Sequence, residues 1–457
     1  MGLSGGPNGA KAVFQQRFEG AFVSLQSLNE VREVSGLPRE SVLAVLDGNV
    51  MMSAVPTAVD TFAGYVAVMR NQIRAAHEAA AHVVLVFDEP QAMTMAKRDE
   101  QARRDAQRKP KDLVCSDDLV AGITDDDYTT DMLKAAGFNA KILMSHRPAR
   151  SRFFDAVCVA LLRGFVWGDT RRSGSLTFDG IDGRGAEREF GDARVAGVIS
   201  SHQEFWGALL TRETPIGEGD LKLTDVTQRV HDAAQTPGAL VAGVVLNLVV
   251  TIDTDSFVIE LLQQQRRLRR PDRQGEDERT IICFKERARK RTGDDAPTAG
   301  HFLCCDVHML HDSVVDYFYG TRSLSQEVVA QQPAAMALLA AALACCGCDF
   351  VEIKGMRVDL VLPIVRDIVR NHRDKLELMC NVFSTDRKNV LRASTAIEFL
   401  ISEFADTIYD MPRMQRAHAS VTGTCRAQVM RALWTCSYWH QKEFKDCTDW
   451  GFAAASG

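Results

Sequence analysis

The chain has no apolar run of about 18 residues free of polar breaks. Its most apolar stretch, Met336 to Cys348, is too short for a bilayer span and suits a buried helix. No secretory signal precedes its 12 cysteines, so a reducing, intracellular setting is expected, with nucleus and cytoplasm undistinguished and no membrane partner. Only Cys304-Cys305 and Cys345-Cys346-x-Cys348 cluster, and no Cys/His set at zinc-finger spacing accompanies them. They read as core thiols, not as a metal site. The opening Met-Gly-Leu-Ser-Gly-Gly has no Ser or Thr at position 6, where a myristoylation signal carries one. Internal repeats are absent. An excess of positive charge is absent too: 54 Lys and Arg against 60 Asp and Glu leave a net charge of -6. That excludes a surface basic throughout and leaves local basic segments as the route to phosphate. The rest is ordinary globular composition, 46% hydrophobic and 25% charged, with room in 457 residues for two or three domains.

What the chain does have is a set of apolar strands that end in carboxylates. Leu246, Leu248, Val249, Val250 and Ile252 read as a strand buried on both faces, as in a parallel sheet, and it runs into Asp253 and Asp255. An i, i+2 pair leaving a strand can turn both carboxylates to one side, at the sheet edge where α/β proteins bind ligands. Taken alone, the pair is equally a strand followed by an Asx turn. However, Ser41 to Leu46 runs into Asp47-Gly48-Asn49, His82 to Phe87 runs into Asp88-Glu89-Pro90, and the apolar segment Met336 to Cys348 closes on Asp349. Carboxylates gathered at one edge repel one another, so the pattern points to bound cations, and oxygen ligands favour Mg²⁺ or Mn²⁺ over zinc.

Between Asp47 and Asp88, residues 58 to 81 carry apolar positions at helical spacing, which makes a βαβ unit and puts both strand ends on one edge. Residues 95 to 111 are strongly basic. Lys97 and Arg104 are seven apart and share a helix face, joined by Arg98, Arg103 and Arg108. A solvated, salt-bridged helix is the ordinary reading of such a run, but its place beside a carboxylate edge suits it to hold phosphate. The mostly apolar helix Phe153 to Leu162 carries one carboxylate, Asp155. The glycine-containing stretch 164–243 reads as an inserted hairpin or lobe, with turn signals such as Asp179-Gly180. A second basic segment, Gln263 to Arg291, is equally a mobile loop, a localisation-like patch or a phosphate contact. Pro333 to Cys348 reads as a helix with proline in its first turn, followed by a turn at Lys354-Gly355-Met356-Arg357 and a helix over Asp359 to Arg370. The remainder reads mainly as helices. Its aromatic cluster Trp434, Tyr438, Trp439, Phe444 and Trp450 suits packing better than base stacking.

In order and context, five blocks resemble the flap endonuclease and XPG-type structure-specific 5′ nucleases. They are Met-Gly-Leu-Ser-Gly at the start, Val45-Leu46-Asp47-Gly48, Val86-Phe87-Asp88 before a basic helix, Ile252-Asp253-Thr254-Asp255, and Gly347-Cys348-Asp349-Phe350. The resemblance covers about residues 1 to 370. It implies a PIN-like α/β fold with a central, mostly parallel sheet flanked by helices. The implied domains are a nuclease domain over 1–350, interrupted by 164–243, and a helical C-terminal region over 351–457 with a degenerate helix-two-turn-helix.

The implied chemistry is hydrolysis of structured nucleic acid, DNA before RNA, by two Mg²⁺ or Mn²⁺ ions about 4 Å apart. Asp47, Asp88, Asp155, Asp253, Asp255 and Asp349 would be metal ligands, with Lys97 and Arg104 on the scissile phosphate and Arg98, Arg103, Arg108, Lys354 and Arg357 on the nucleic acid. Three features depart from the family. The third acidic helix offers only Asp155, Gly355 alone remains of the glycine-rich turn, and the stretch 164–243 exceeds the usual link. They keep open a second reading, a nuclease fold with weakened chemistry acting as a nucleic-acid or protein scaffold, its protein partner met through 164–243 or the C-terminal region. A phosphatase is a third reading, weakened because Gly48-Asn49 follows Asp47 where an Asp-x-Asp nucleophile motif is required.

Overall fold

A computed structural model describes residues 9–56, 59, 61–89, 92–95, 97–99, 101–102, 147–166, 174–181, 197–268, 278–286, 301–320, 325–348, 350–351, 353–384, 387–409 and 426–441. Its strands are β1 (Phe22–Leu25), β2 (Val42–Asp47), β3 (His82–Val86), β4 (Ser175–Asp179), β5 (Val198–Ser200), β6 (Leu246–Thr251), β7 (Arg279–Lys285) and β8 (Phe302–Asp306). They form a single eight-stranded mixed sheet in the order β1-β8-β7-β6-β2-β3-β4-β5. The five central strands β7, β6, β2, β3 and β4 are parallel, while β1, β8 and β5 pair antiparallel at the two sides. β2 and β6 are buried along their whole length. That is the physical meaning of their unbroken β-branched runs: both faces are covered, so no polar alternation is needed.

The helices are α1 (Ala10–Arg17), α2 (Leu28–Ser35), α3 (Gly48–Ser53), α4 (Phe62–Ala79), α5 (Arg147–Val166), α6 (Gln203–Leu210), α7 (Gly219–Ala234), α8 (Asp255–Arg267), α9 (Val307–Tyr319), α10 (Gln326–Cys345), α11 (Val358–Asn371), α12 (Arg373–Met379), α13 (Arg387–Arg392), α14 (Ser394–Tyr409) and α15 (Arg426–Gln441). On one face, Val42, Ala44 and Leu46 of β2 meet α2, α4 and α5 through Val31, Tyr65, Met69 and Phe153. On the other, Leu43 and Val45 meet α6 and α7 through Trp206, Val226 and Val230. Alternation along one strand thus sorts the two cores. On this second face, beyond β6, α8 and α9 begin the largest core, and α10 to α12, α14 and α15 complete it.

Two features of the sequence reading change. The stretch 164–243 is not a lobe set apart: it supplies β4, which extends the parallel sheet beside β3, the antiparallel strand β5, and α6 and α7. Its strands are short, five and three residues, with Gly174, Gly180 and Gly197 at their ends, which hides them in the sequence. The helix expected from Pro333 begins instead at Gln326, where the Ser325 hydroxyl accepts from the Val328 amide at 3.3 Å, and it carries Pro333 inside. The serine cap outweighs the proline signal because every residue from Gln332 to Cys345 is buried, each leucine among them contributing roughly 1.5–3 kcal/mol. At 20 residues and mean hydropathy 1.7, α10 is long and apolar enough to cross a membrane, yet 78% of that stretch is buried within the fold. It packs against α8, α11, α12 and α15. Cys345 and Cys346 are buried free thiols, as expected, and Cys348 is half-buried. The residue pattern suggests a helix over Asp131 to Ala136 and a short strand over Ala140 to Met144, and both lie outside the described residues.

Candidate active site

The sheet order brings β6, β2, β3 and β4 side by side and parallel, so their carboxyl ends share one edge. Each delivers an aspartate. Asp47 is the last residue of β2 and also caps α3, its Oδ1 accepting from the Val50 amide at 3.0 Å. The turn is tight: a Cβ on Gly48 would lie 2.4 Å from the Phe87 ring, so any larger residue after this aspartate would have to displace that ring. Asp88 follows β3 by two residues and its Oδ1 accepts from the Gly219 amide at 2.8 Å. Asp253 leaves β6 through a turn in which its amide donates to the Thr251 hydroxyl at 3.0 Å, and Asp255 opens α8. Asp179, read in the sequence only as a turn signal, closes β4.

These ends are not equivalent. Asp179 is fully buried in an ionic network: Arg212 donates to its two oxygens at 3.1 and 2.7 Å, and the Lys222 ammonium lies 3.5 Å away and also pairs with Glu89. Burial raises its pKa, but Lys222 and Arg212 more than offset that and hold it below the ordinary carboxylate range. This carboxylate is neutralised by the protein itself.

The other three ends meet two carboxylates that the sequence reading passed over, Glu218 and Asp220, at the amino terminus of α7. Asp220 is pushed well above the ordinary range, by burial first and then by Asp253 and Asp47, with Lys97 opposing and Asp255 adding. Asp47 is pushed from 3.8 to about 7, by burial first, with Asp88 and Asp253 adding and backbone hydrogen bonds opposing. The charges of Asp88, Asp253 and Asp255 therefore reach Asp47 or Asp220 across a single neighbourhood. The Asp220 Oδ1 atom is shut off from water and has no hydrogen-bond partner. Glu218, 6% exposed, takes the Lys97 ammonium on Oε2 at 3.0 Å and the Tyr438 hydroxyl on Oε1 at 3.1 Å. Among the described residues, no three His, Cys, Asp or Glu side chains lie close enough together to hold a metal ion.

The signal for Glu218 and Asp220 was present in the sequence. They stand two apart, as Asp253 and Asp255 do, at the start of a helix whose Leu223, Val226 and Val230 face the sheet core. The glycines Gly217 and Gly219 around them resemble loop punctuation, yet a Cβ at Gly217 would lie 2.5 Å from the Ala92 carbonyl oxygen. They mark close approach, not looseness.

Lys97 is on a helical segment and lies 5.7 Å from the centre of the Phe350 ring. Arg98 is exposed beside it. Asp155 is buried on α5, on the sheet face opposite α7; its charge is felt by Cys158, and it is not among the principal charges acting on Asp47 or Asp220. Lys354 is exposed, and Arg357 is committed to Asp359 through two bonds of 3.0 and 2.6 Å. Arg103, Arg104, Arg108 and Asp349 lie outside the described residues. No family model matches the chain, and no curated protein matches it.

Proposed function

We propose that the chain is a metal-dependent nuclease that hydrolyses phosphodiester bonds of structured nucleic acid, with a PIN-like fold of the flap endonuclease and XPG type. The observation that carries this reading is the strong electrostatic perturbation of Asp47 and Asp220 by burial and by the charges of Asp88, Asp253 and Asp255 at one sheet edge. A buried carboxylate held at a pKa of about 7 by burial and by neighbouring carboxylates is costly to keep, and proteins keep such clusters where function needs them. The unpartnered Asp220 oxygen supports a cation there, and an all-oxygen donor set suits Mg²⁺ or Mn²⁺.

Asp47, Asp88, Asp220, Asp253 and Asp255 would hold the ions, joined by Glu218 and, through the resemblance, by Asp349. When bound, such ions supply positive charge to the phosphate and lower the pKa of the attacking water. Asp220 replaces Asp155 as the chief carboxylate of the third acidic element in this reading. Asp47 and Asp253, fixed by β2 and β6, give the site a rigid base, and the Gly219 amide orients Asp88. Lys97, which pairs with Glu218 and acts on Asp220, is the residue suited to neutralise charge on the scissile phosphate, with Arg104 beside it through the resemblance. Contacts to phosphate imply structure-selective, salt-dependent binding.

The test is cleavage of 5′-labelled flap, duplex and single-stranded DNA and RNA with Mg²⁺ or Mn²⁺, beside Asp253→Ala/Asp255→Ala. Cleavage that the double variant loses while still binding the substrate is the expected result; equal cleavage by both proteins refutes the site assignment. One observation favours the second reading, a binding scaffold on a nuclease fold: no three described carboxylates stand at ligating distance. Nucleic-acid binding with no cleavage of any substrate would select it.

A further inference from the structure

We propose that Tyr438 is a positioning residue of this site, fixing the Glu218 carboxylate from the C-terminal helix and so making α15 part of the catalytic apparatus. The inference rests on the nuclease reading above. The Tyr438 hydroxyl donates to Glu218 Oε1 at 3.1 Å while Lys97 occupies Oε2 at 3.0 Å, so the two oxygens are held by different elements and the carboxylate cannot rotate without breaking one contact. The bond joins residues 220 positions apart in the chain. It is shielded from water: Tyr438 is 4% exposed and Glu218 6%.

The phenol is itself held in place. Its ring stacks on Trp434, one helical turn back, at 5.0 Å and 8°, and Phe350 meets both rings edge-on at 6.2 and 5.1 Å. The Lys97 ammonium lies 5.7 Å from the centre of the same Phe350 ring. Four segments distant in sequence, around residues 97, 218, 350 and 438, therefore close on one carboxylate. Packing alone accounts for the rings and leaves the hydroxyl unexplained; phenylalanine would fill the same space. A buried hydroxyl aimed at a carboxylate of an acidic site does what an outer hydrogen bond does for a metal ligand, setting its orientation before the cation arrives.

The experiment compares wild type, Tyr438→Phe, Glu218→Gln and the double variant in two assays: Mn²⁺ binding by calorimetry without nucleic acid, and cleavage as a function of Mg²⁺ concentration. Tyr438→Phe keeps the ring and its stacking, and far-UV circular dichroism checks the fold. The expected result is a roughly tenfold weaker metal affinity and a matching rise in the Mg²⁺ needed for half-maximal cleavage, with KM for nucleic acid unchanged. The double variant should be no worse than Glu218→Gln alone, because the hydroxyl acts only through that carboxylate. Wild-type metal affinity in Tyr438→Phe, or losses that multiply in the double variant, overturns the proposal and leaves the nuclease reading standing. A wild-type protein that neither cleaves nor binds Mn²⁺ overturns both.

Discussion

Asp47→Asn should stabilise the metal-free protein while abolishing cleavage. Folding raises the Asp47 pKa from 3.8 to about 7, by burial first and then by Asp88 and Asp253. The folded chain therefore holds this proton to higher pH than the unfolded chain does. The associated stability is fully present below about 4, is lost as the pH rises through about 7, and stays lost above. At about 1.4 kcal/mol per tenfold change, the displacement corresponds to about 4 kcal/mol at most. Because neighbouring carboxylates share the repulsion, removing one charge should recover about half, roughly 2 kcal/mol. Asparagine keeps the cap on α3, since its amide oxygen can still accept from the Val50 amide that Asp47 meets at 3.0 Å. The assay is urea unfolding of both proteins in chelator from pH 5 to pH 8.5. The advantage of Asp47→Asn should grow between pH 5 and 7 and level off above. Added Mg²⁺ should stabilise wild type and leave the variant unmoved. A variant less stable than wild type at pH 8 in chelator, or an advantage independent of pH, refutes the electrostatic account of this edge.

Three further outcomes follow from the same geometry. Asp220→Asn should reduce cleavage at least tenfold more than Asp155→Asn, since Asp220 feels the charges of Asp47, Asp253 and Asp255 while Asp155 lies on the other face of the sheet; initial rates on one flap substrate decide between them. Asp179→Ala should destabilise by about 3–5 kcal/mol, because it leaves Arg212 and the fully buried Lys222 without the carboxylate between them; a urea-derived loss below about 1 kcal/mol contradicts the network. Ser325→Ala should cost about 1 kcal/mol by removing the cap on α10, read from the same unfolding curves.

How much of this could be read from the residues depends on whether a feature is local. Runs such as Val-Leu-Ala-Val-Leu before Asp47 and His-Val-Val-Leu-Val before Asp88 declare buried parallel strands by composition alone, and the structure places both in the middle of the sheet. Once parallel strands are adjacent, their ends must share an edge, so the meeting of Asp47, Asp88 and Asp253 follows from topology. β4 carries its own aspartate to that edge, yet nothing local distinguishes Asp179, clamped by Arg212 and Lys222, from Asp47, left among other acids. The difference lies in partners 33 and 43 residues away in the chain. Asp155 shows the complementary point, on a helix packed against the other face of the sheet. A lone carboxylate on an apolar helix looks poised for a metal, but the side of the sheet on which a helix packs is decided by the whole chain. Glu218 and Asp220 had the right spacing and were obscured by the glycines that let α7 approach Ala92 and Asp88. Tyr438 had no local signal at all. Its phenol belongs to the core by composition, and only the meeting of α15 with the start of α7 turns a packing residue toward a carboxylate. Strand ends are thus set by segments a few residues long, whereas the charge state of each carboxylate is set by contacts across the whole chain. For that reason the choice between a catalytic and a structural aspartate rests on its partners and not on its motif.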